Sequence, residues 1–172
     1  DADYSIIVVP CSLTANVSKA NLSVSGLTAN NKVYDATRTA TISGTAAAQA
    51  LGGDVVTVSG AATGLFDTKH VGDGKSVEVT GLSLSGADAD NYNITITNKE
   101  LVIGKKDASI TGTQTNVTYN SLVQSQDAAV LTGFIAADVT NNTVGATGVA
   151  TGRNAGTYTS NLSATGTDAD NY

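Results

Sequence analysis

Cysteine, proline, tryptophan and methionine are nearly or wholly absent from this sequence of 172 residues. It contains one Cys, one Pro, no Trp and no Met. The single cysteine, Cys11, excludes an internal disulfide and a cysteine-based metal cluster. The absence of Met, including a start Met, leads us to expect an excised part of a longer chain.

Positive charge and long apolar runs are also scarce. The chain has 9 Lys and Arg against 15 Asp and Glu, for a formal net charge of −6. Without a basic cluster to neutralise phosphates, we expect no nucleic-acid partner. The most apolar stretch, residues 6–9, is far shorter than the ~20 residues that span a bilayer, so we expect no membrane insertion.

Residues for catalysis are few. A nucleophile needs a base beside it, and the only His is His70, next to Lys69 in a turn-rich stretch. No Gly-x-Ser-x-Gly elbow and no phosphate-binding loop occurs. We therefore predict that the chain is not an enzyme, that it has no catalytic, cofactor-binding or metal site, and that His70 is a solvated surface residue.

The strongest positive signal is an internal repeat. Residues 86–92 (Gly-Ala-Asp-Ala-Asp-Asn-Tyr) recur as residues 166–172 (Gly-Thr-Asp-Ala-Asp-Asn-Tyr), and a shortened form opens the chain. The closing tyrosines Tyr4, Tyr92 and Tyr172 are 88 and 80 positions apart. This periodicity predicts tandem modules, each of which ends in the same motif.

The parallels define three segments. We predict that residues 1–19 are the last strand and linker of a preceding repeat, that residues 20–104 are a complete repeat, and that residues 105–172 are a repeat without its final strand. These last two segments are called the first and the second repeat. We predict that residues 4–9 form an orphan strand, and we hypothesise that they complete the second repeat, in a neighbouring molecule or by folding back.

Alternating patterns within the repeats predict β-strands. Apolar and polar residues alternate over 77–80, 82–85 and 94–97, with Gly or Asn at the boundaries. The sequence thus predicts an all-β fold of tandem, small, antiparallel β-sandwich-like repeats. Residues 45–51, and more weakly 125–131, are the helix-like stretches, so a β-grasp-like sheet with one short helix remains the alternative.

The closing motifs contain paired carboxylates at Asp88 and Asp90, and again at Asp168 and Asp170. Oxygen-rich pairs of this kind are able to bind calcium, but the distal Glu and the Gly of an EF-hand loop are missing. We favour the alternative, in which Asp and Asn cap a turn and the closing Tyr packs inward.

A second recurring tyrosine stands early in each repeat, as Tyr34 followed by Asp35 and as Tyr119 followed by Asn120. A ligand-binding role is conceivable. In a chain with only 5% aromatic residues, a core anchor followed by a turn residue is the simpler interpretation for both tyrosines.

Three stretches of the first repeat resemble the YDG repeat of filamentous-haemagglutinin-like adhesins. They are residues 27–37 (Leu-Thr-Ala-Asn-Asn-Lys-Val-Tyr-Asp-Ala-Thr), 53–56 (Gly-Asp-Val-Val) and 71–75 (Val-Gly-Asp-Gly-Lys). The second repeat, with residues 117–120 and 154–158, resembles the related MBG-type repeat. One departure is Ala36, where the family usually has Gly. It suggests a turn that does not need a positive φ.

The resemblance implies a Gram-negative exoprotein, often exported by two-partner secretion, that is secreted or held at the cell surface. Its implied role is in adhesion or biofilm, with these repeats as a stalk or spacer whose partners are neighbouring repeats. The alternative is a module of the same adhesin that binds extracellular polysaccharide or a host surface receptor.

Overall fold

The computed structural model describes residues 14–96 and 100–172, and it confirms the all-β class. Among these residues, strands are the main regular elements, and helical structure is limited to three short segments. Residues 4–9, the predicted orphan strand, lie outside the described residues. The described part of the predicted linker, residues 14–19, has no regular structure and is exposed.

The strands of the first repeat are β1 (Ala20–Ala29), β2 (Lys32–Val33), β3 (Thr39–Ala40), β4 (Ile42–Ala48), β5 (Thr57–Ser59), β6 (Thr63–Phe66), β7 (Gly72–Lys75), β8 (Val77–Thr80), β9 (Ser83–Ser85), β10 (Tyr92–Ile96) and β11 (Leu101–Gly104). Those of the second repeat are β12 (Ser109–Thr111), β13 (Gln124–Ser125), β14 (Val130–Thr132), β15 (Gly145–Thr147), β16 (Thr151–Gly152) and β17 (Ser163–Thr165). A helix, α1 (Ala136–Thr140), follows β14, and a 3₁₀ turn lies in each closing motif, at Ala89–Asn91 and Ala169–Asn171.

The strands of the first repeat form three three-stranded sheets and one pair. The sheets have the orders β10-β1-β4, β2-β11-β7 and β3-β6-β8, and the pair is β5-β9. Most neighbours are antiparallel, but β10 runs parallel to β1 and β11 runs parallel to β2. In the described residues, no strand of one repeat pairs with a strand of the other.

The core of the first repeat lies between two of these sheets. Ala40, Phe66 and Val77 come from β3-β6-β8, and Leu101 and Ile103 come from β11. Burial alternates along the strands, as in Thr63–Phe66 and Leu101–Gly104, because successive side chains of a strand point to opposite faces. This is the period-two pattern that the sequence predicted for half-buried strands.

The strand predictions near residues 77–80, 82–85 and 94–97 are confirmed by β8, β9 and β10. The helix prediction for residues 45–51 is wrong, because most of this stretch belongs to β4, which pairs antiparallel with β1. Its alanines have strong helix propensity, but the ladder to β1 overrides that weak local preference. Residues 125–131 are not helical either.

A short helix does exist, as in the β-grasp-like alternative, but it lies elsewhere. It is α1, over Ala136–Thr140. None of the helices formed by the described residues has the length and apolar character needed to cross a membrane.

The turn after Tyr34 shows that the interpretation of Ala36 is wrong. Ala36 has φ of 63°, in the left-handed region where Gly is favoured. The Asp35 carboxylate accepts hydrogen bonds from the Thr37 N–H at 2.9 Å and from Lys32 Nζ at 2.6 Å, and these bonds hold the turn. Ser121 has φ of 67° at the matching place in the second repeat.

We predict that Ala36→Gly stabilises the protein. The left-handed conformation costs an L-residue about 1–2 kcal/mol, and the added entropy of Gly in the unfolded chain offsets part of the gain. The expected increase in the free energy of unfolding is about 0.5–1 kcal/mol, measured by denaturant titration. The control, Ala40→Gly in the buried strand β3, should destabilise; an equal loss in both variants would contradict the role of strain at Ala36.

Candidate functional site at the junction between the repeats

A carboxylate of the second repeat is buried against a tyrosine of the first. The Tyr34 hydroxyl donates a hydrogen bond to Asp138 Oδ2 at 3.0 Å. The Tyr172 hydroxyl donates to the same oxygen at 2.6 Å. Tyr34 and Asp138 are both buried, so water does not compete for these bonds.

Apolar contacts surround this hydrogen-bonded group. Ile135 and Tyr172 of the second repeat pack against the core cluster of the first. The Tyr34 and Tyr172 rings meet edge to face, with centroids 5.4 Å apart and an interplanar angle of 80°. Phe134 contacts the Tyr172 ring at a centroid distance of 4.6 Å. The second repeat therefore covers one end of the core of the first.

Helix α1 positions Asp138 at this junction. It begins after Ile135, whose extended backbone directs its N–H to the Tyr172 hydroxyl at 3.0 Å. The Thr143 Oγ1 hydroxyl donates to the Asp138 carbonyl at 3.1 Å. Asp138 stands in the first turn of α1, and its side-chain carboxylate accepts the Tyr34 and Tyr172 hydroxyls.

A second polar group lies beside the first. Lys69 Nζ of the first repeat is 2.8 Å from Asp168 Oδ2, and His70 Nδ1 is 3.5 Å from Asp168 Oδ1. The Val71 N–H donates to Asn171 Oδ1 at 3.0 Å, and Asn171 Nδ2 donates to Asp168 Oδ1 at 3.1 Å. Asp168 is buried, so bulk water screens its ion pair with Lys69 only weakly. Its carboxylate accepts hydrogen bonds from the charged Lys69 ammonium group and from the neutral Asn171 amide.

The closing motif of the first repeat shows the same arrangement within one repeat. The Tyr92 hydroxyl donates to Asp54 Oδ2 at 2.7 Å, and the Leu51 N–H donates to the Tyr92 hydroxyl at 3.0 Å. The Val55 N–H donates to Asp88 Oδ2 at 2.9 Å. Within each repeat, therefore, the closing tyrosine is bound to an aspartate upstream. In the second repeat this aspartate is Asp138, which also accepts a hydrogen bond from the Tyr34 hydroxyl of the first repeat.

The junction perturbs the acid–base behaviour of its members. Burial, together with the hydrogen bond to Asp138, raises the pKa of Tyr34 far above its ordinary value. Burial and the same acceptor raise the pKa of Tyr172 to about 12. Burial of Asp168 opposes its ionisation, but the hydrogen bond from Lys69 and the charge of Lys69 outweigh burial and lower its pKa.

These shifts predict loss of stability in alkali. An unfolded tyrosine ionises near pH 10, whereas folded Tyr172 keeps its proton until about pH 12. The folded state holds the extra proton in this interval, so its stabilisation is complete below the unfolded pKa and falls as pH rises towards the folded pKa. Denaturant titrations at about pH 9 and about pH 11 should show the decline. Tyr172→Phe should show a smaller decline; an unchanged pH dependence in this variant would contradict the assignment.

The two early tyrosines have different environments. Tyr34 is a core anchor, as predicted, with 1% of its surface exposed. For Tyr119 the prediction is wrong, because 58% of its surface is exposed. Both are followed by the predicted turn, since the Leu122 N–H donates to Asn120 Oδ1 at 3.0 Å, as the Thr37 N–H does to Asp35.

The paired carboxylates of the closing motifs do not converge. Asp90 and Asp170 are exposed, whereas Asp88 and Asp168 turn towards other segments of the chain. Tyr92 and Tyr172 pack inward as predicted, but Asp88 binds the N–H of Val55 and makes no side-chain cap on its own 3₁₀ turn. Over residues 14–96 and 100–172, no three His, Cys, Asp or Glu side chains come together to hold a metal ion.

The sequence did not indicate that Lys69, His70 and Asp138 have roles in this junction. His70 is half exposed, in line with a surface residue, but its ring also contacts Asp168 and Asn171. Residues 53–56 (Gly-Asp-Val-Val) match residues 137–140 (Ala-Asp-Val-Thr), which pairs Asp54 with Asp138. This match does not indicate that Asp138, unlike Asp54, accepts a tyrosine hydroxyl of the other repeat. Such partners are about 100 positions apart, and no local pattern joins them.

Comparison with known proteins identifies one part of the chain. The family model of the YDG domain matches residues 18–99. No curated protein and no solved structure matches the chain significantly. The MBG-type resemblance of the second repeat stays a prediction. Residues 18–99 therefore form a YDG-type domain.

Proposed function

We propose that the chain is a spacer: two β-repeats, joined by a fixed junction, that form a structural stalk in a large secreted bacterial surface adhesin with a part in adhesion or biofilm. The YDG-type domain over residues 18–99 and the recurrence of the closing motif at residues 86–92 and 166–172 support this proposal. The adhesin, its secretion and its place at the cell surface come from the resemblance of residues 27–37, 53–56 and 71–75. In this role the chain has no catalytic activity, and its partners are neighbouring repeats.

The buried group of Tyr34, Asp138 and Tyr172 is the observation that carries this proposal. A linker of independent domains would leave polar, solvated surfaces between them. Here the Asp138 carboxylate accepts one hydrogen bond from Tyr34 of the first repeat and one from Tyr172 of the second. The rings of these two tyrosines exclude water around it. Such a junction fixes the orientation of one repeat on the next, which is what a stalk that projects a distant tip needs.

A second candidate function is favoured by one observation. Tyr119 and Tyr158 are both exposed, and they line the same cleft of the second repeat together with amides and hydroxyls. Exposed aromatic rings beside polar side chains are typical of surfaces that bind carbohydrate. The alternative is therefore a module that recognises extracellular polysaccharide or a host surface receptor.

A binding screen against glycans and matrix polysaccharides, with and without calcium, distinguishes the two functions. The spacer proposal predicts no specific binding by the folded, monomeric protein under either condition. Saturable binding that is lost in a Tyr119→Ser, Tyr158→Ser double variant, but kept in a Val33→Ser control, would establish recognition and contradict the proposal. Val33 is a suitable control because it is exposed and belongs to the first repeat.

A further inference from the structure

The first repeat carries a surface that matches the docked surface of the second. The closing face of the second repeat consists of the residues through which it contacts the first repeat: Ile135, Asp138, Asp168, Asn171 and Tyr172. The closing face of the first repeat consists of the matching residues: Leu51, Asp54, Asp88, Asn91 and Tyr92. This correspondence follows from the match of residues 53–56 with 137–140 and of residues 86–92 with 166–172.

The two closing faces have the same local geometry. In the first repeat the Leu51 N–H donates to the Tyr92 hydroxyl at 3.0 Å, and the Asp54 N–H donates to the Leu51 carbonyl at 3.1 Å. The corresponding two bonds of the second repeat, both made by Ile135, are each 3.0 Å long. In both repeats the closing tyrosine then donates to the aspartate of this turn, at 2.7 Å and at 2.6 Å. The surface that docks in the second repeat is therefore also built in the first.

The surroundings of the two closing faces differ. The two carboxylates of the second closing face are buried, with 4% and 2% of their surfaces exposed. In the first repeat Asp54 is exposed, and 66% of the surface of Leu51 is exposed. Neither Asp54 nor Asp88 forms an ion pair with another residue of 14–96 and 100–172. Within this part of the chain, the first closing face thus presents an apolar side chain and carboxylates at the surface.

The surface that covers the second closing face belongs to the YDG-type domain. This receiving face consists of Tyr34, Lys69, His70 and Val71. It supplies a hydroxyl to one aspartate of the second repeat, an ammonium group to the other, and a backbone N–H to an asparagine. The recognition is therefore specific in chemistry, because each donor of the receiving face has its own acceptor on the closing face.

The first closing face has an acceptor for each of these donors. Asp54 stands where the hydroxyl is received, and Asn91 stands where the backbone N–H is received. Asp88 stands where the ammonium group is received; its Oδ2 binds the Val55 N–H, and its Oδ1 remains to accept a cation. Leu51 replaces the isoleucine that packs against the core of the first repeat.

We propose that the closing face of the first repeat docks on the receiving face of a further YDG-type repeat, as the second repeat docks on the first. The partner gives a tyrosine hydroxyl to Asp54 and a lysine ammonium group to Asp88, and it covers Leu51 with the edge of its core. Opposite charges on the two faces fix the orientation of docking. The faces are different surfaces, so the contact is heterologous and repeats in one direction. The inference rests on the proposed spacer function and names the partner of a further junction.

An extended chain, in which an added copy of residues 20–106 precedes residues 20–172, tests the proposal. Residues 20–172 contain no cysteine, so spin labels at Ser59→Cys in both copies are the only ones. Ser59 in β5 pairs with Ser83, as Thr147 in β15 pairs with Ser163, and the two serines occupy the same position relative to the closing motifs. If the two junctions are alike, the distance between the two labels at position 59 should equal the distance between labels at Ser59→Cys and Thr147→Cys in the original chain.

Pulsed electron paramagnetic resonance should show this distance as a single narrow distribution. Leu51→Asp in the original copy should broaden it, because the substitution places a charge where an apolar contact forms. The same substitution in the added copy is the matched control and should leave the distribution unchanged, because that Leu51 lies outside this junction. Both variants should fold, since the side chain is exposed in the described part of the chain.

Three results would overturn the proposal. They are a broad distribution or a different mean distance in the extended chain, an added copy without dispersed amide signals in NMR, and equal effects of Leu51→Asp in the two copies. The distance between Ser59→Cys and Thr147→Cys in the original chain separates this failure from that of the spacer. If that distribution is narrow, only the further junction is wrong; if it is also broad, the fixed junction of the proposed function is wrong as well.

Discussion

Asp138→Ala is expected to lower the free energy of unfolding by about 3 kcal/mol, because it leaves two tyrosine hydroxyls at the junction without their acceptor. Each such group loses a hydrogen bond and remains desolvated, which costs about 1–3 kcal/mol. Lys69 also loses a carboxylate at 4.0 Å. The measurement is a urea titration followed by tyrosine fluorescence, with wild type and variant compared under the same conditions.

Asp54 offers a matched control for this experiment. Its carboxylate accepts the Tyr92 hydroxyl within the first repeat, but the residue is exposed and no hydroxyl of another repeat reaches it among the described residues. Asp54→Ala should therefore cost only about 0.5–1.5 kcal/mol. Asp138→Asn keeps an acceptor oxygen and should recover part of the loss. Equal costs at Asp54 and Asp138 would contradict a special role for the junction.

Phe66→Ala is expected to lower the free energy of unfolding by about 3–5 kcal/mol, since it leaves a cavity in the core of the first repeat. Phe66 has 0% of its surface exposed and packs with Tyr34, Val77 and Ile103. Lys32 Nζ lies 5.5 Å from the centroid of the ring, so the substitution also removes a cation–π contact. Thermal or denaturant unfolding of the whole chain measures the effect.

The neighbouring Leu65 is the control for Phe66. It stands in the same strand, β6, but its side chain points outward and 46% of its surface is exposed. Leu65→Ala should change stability by less than about 1 kcal/mol. If Leu65→Ala lowered the free energy of unfolding as much as Phe66→Ala, the assignment of the buried and exposed faces of β6 would be wrong.

Much of the fold could be predicted from the sequence, because its signals are local. Alternation over residues 77–80 and the Gly that follows define a strand whatever its partner is. The stretch of residues 45–51 fails for the opposite reason. Its alanines carry a local helical preference, and only the pairing of Ile42 with Ala29 and of Ala48 with Val24 makes the segment a strand.

The candidate site was harder to predict, because it depends on contacts between the repeats. Repetition located Tyr92 and Tyr172 as inward residues and Tyr34 as a core anchor. It also suggested, wrongly, that Tyr119 is buried, since repetition implies equal environments. The environments differ because Tyr34 has β11 and Asp138 beside it, whereas no described segment covers Tyr119 in the same way.

We propose that the two repeats form one rigid unit. Spin labels at Ser59→Cys in β5 and Thr147→Cys in β15, in a Cys11→Ser background, would report the distance between the repeats by pulsed electron paramagnetic resonance. We expect a single narrow distance distribution, which broadens when Asp138→Ala is added. A broad distribution in the otherwise unchanged protein would show that the repeats move independently and would contradict the account of a fixed junction.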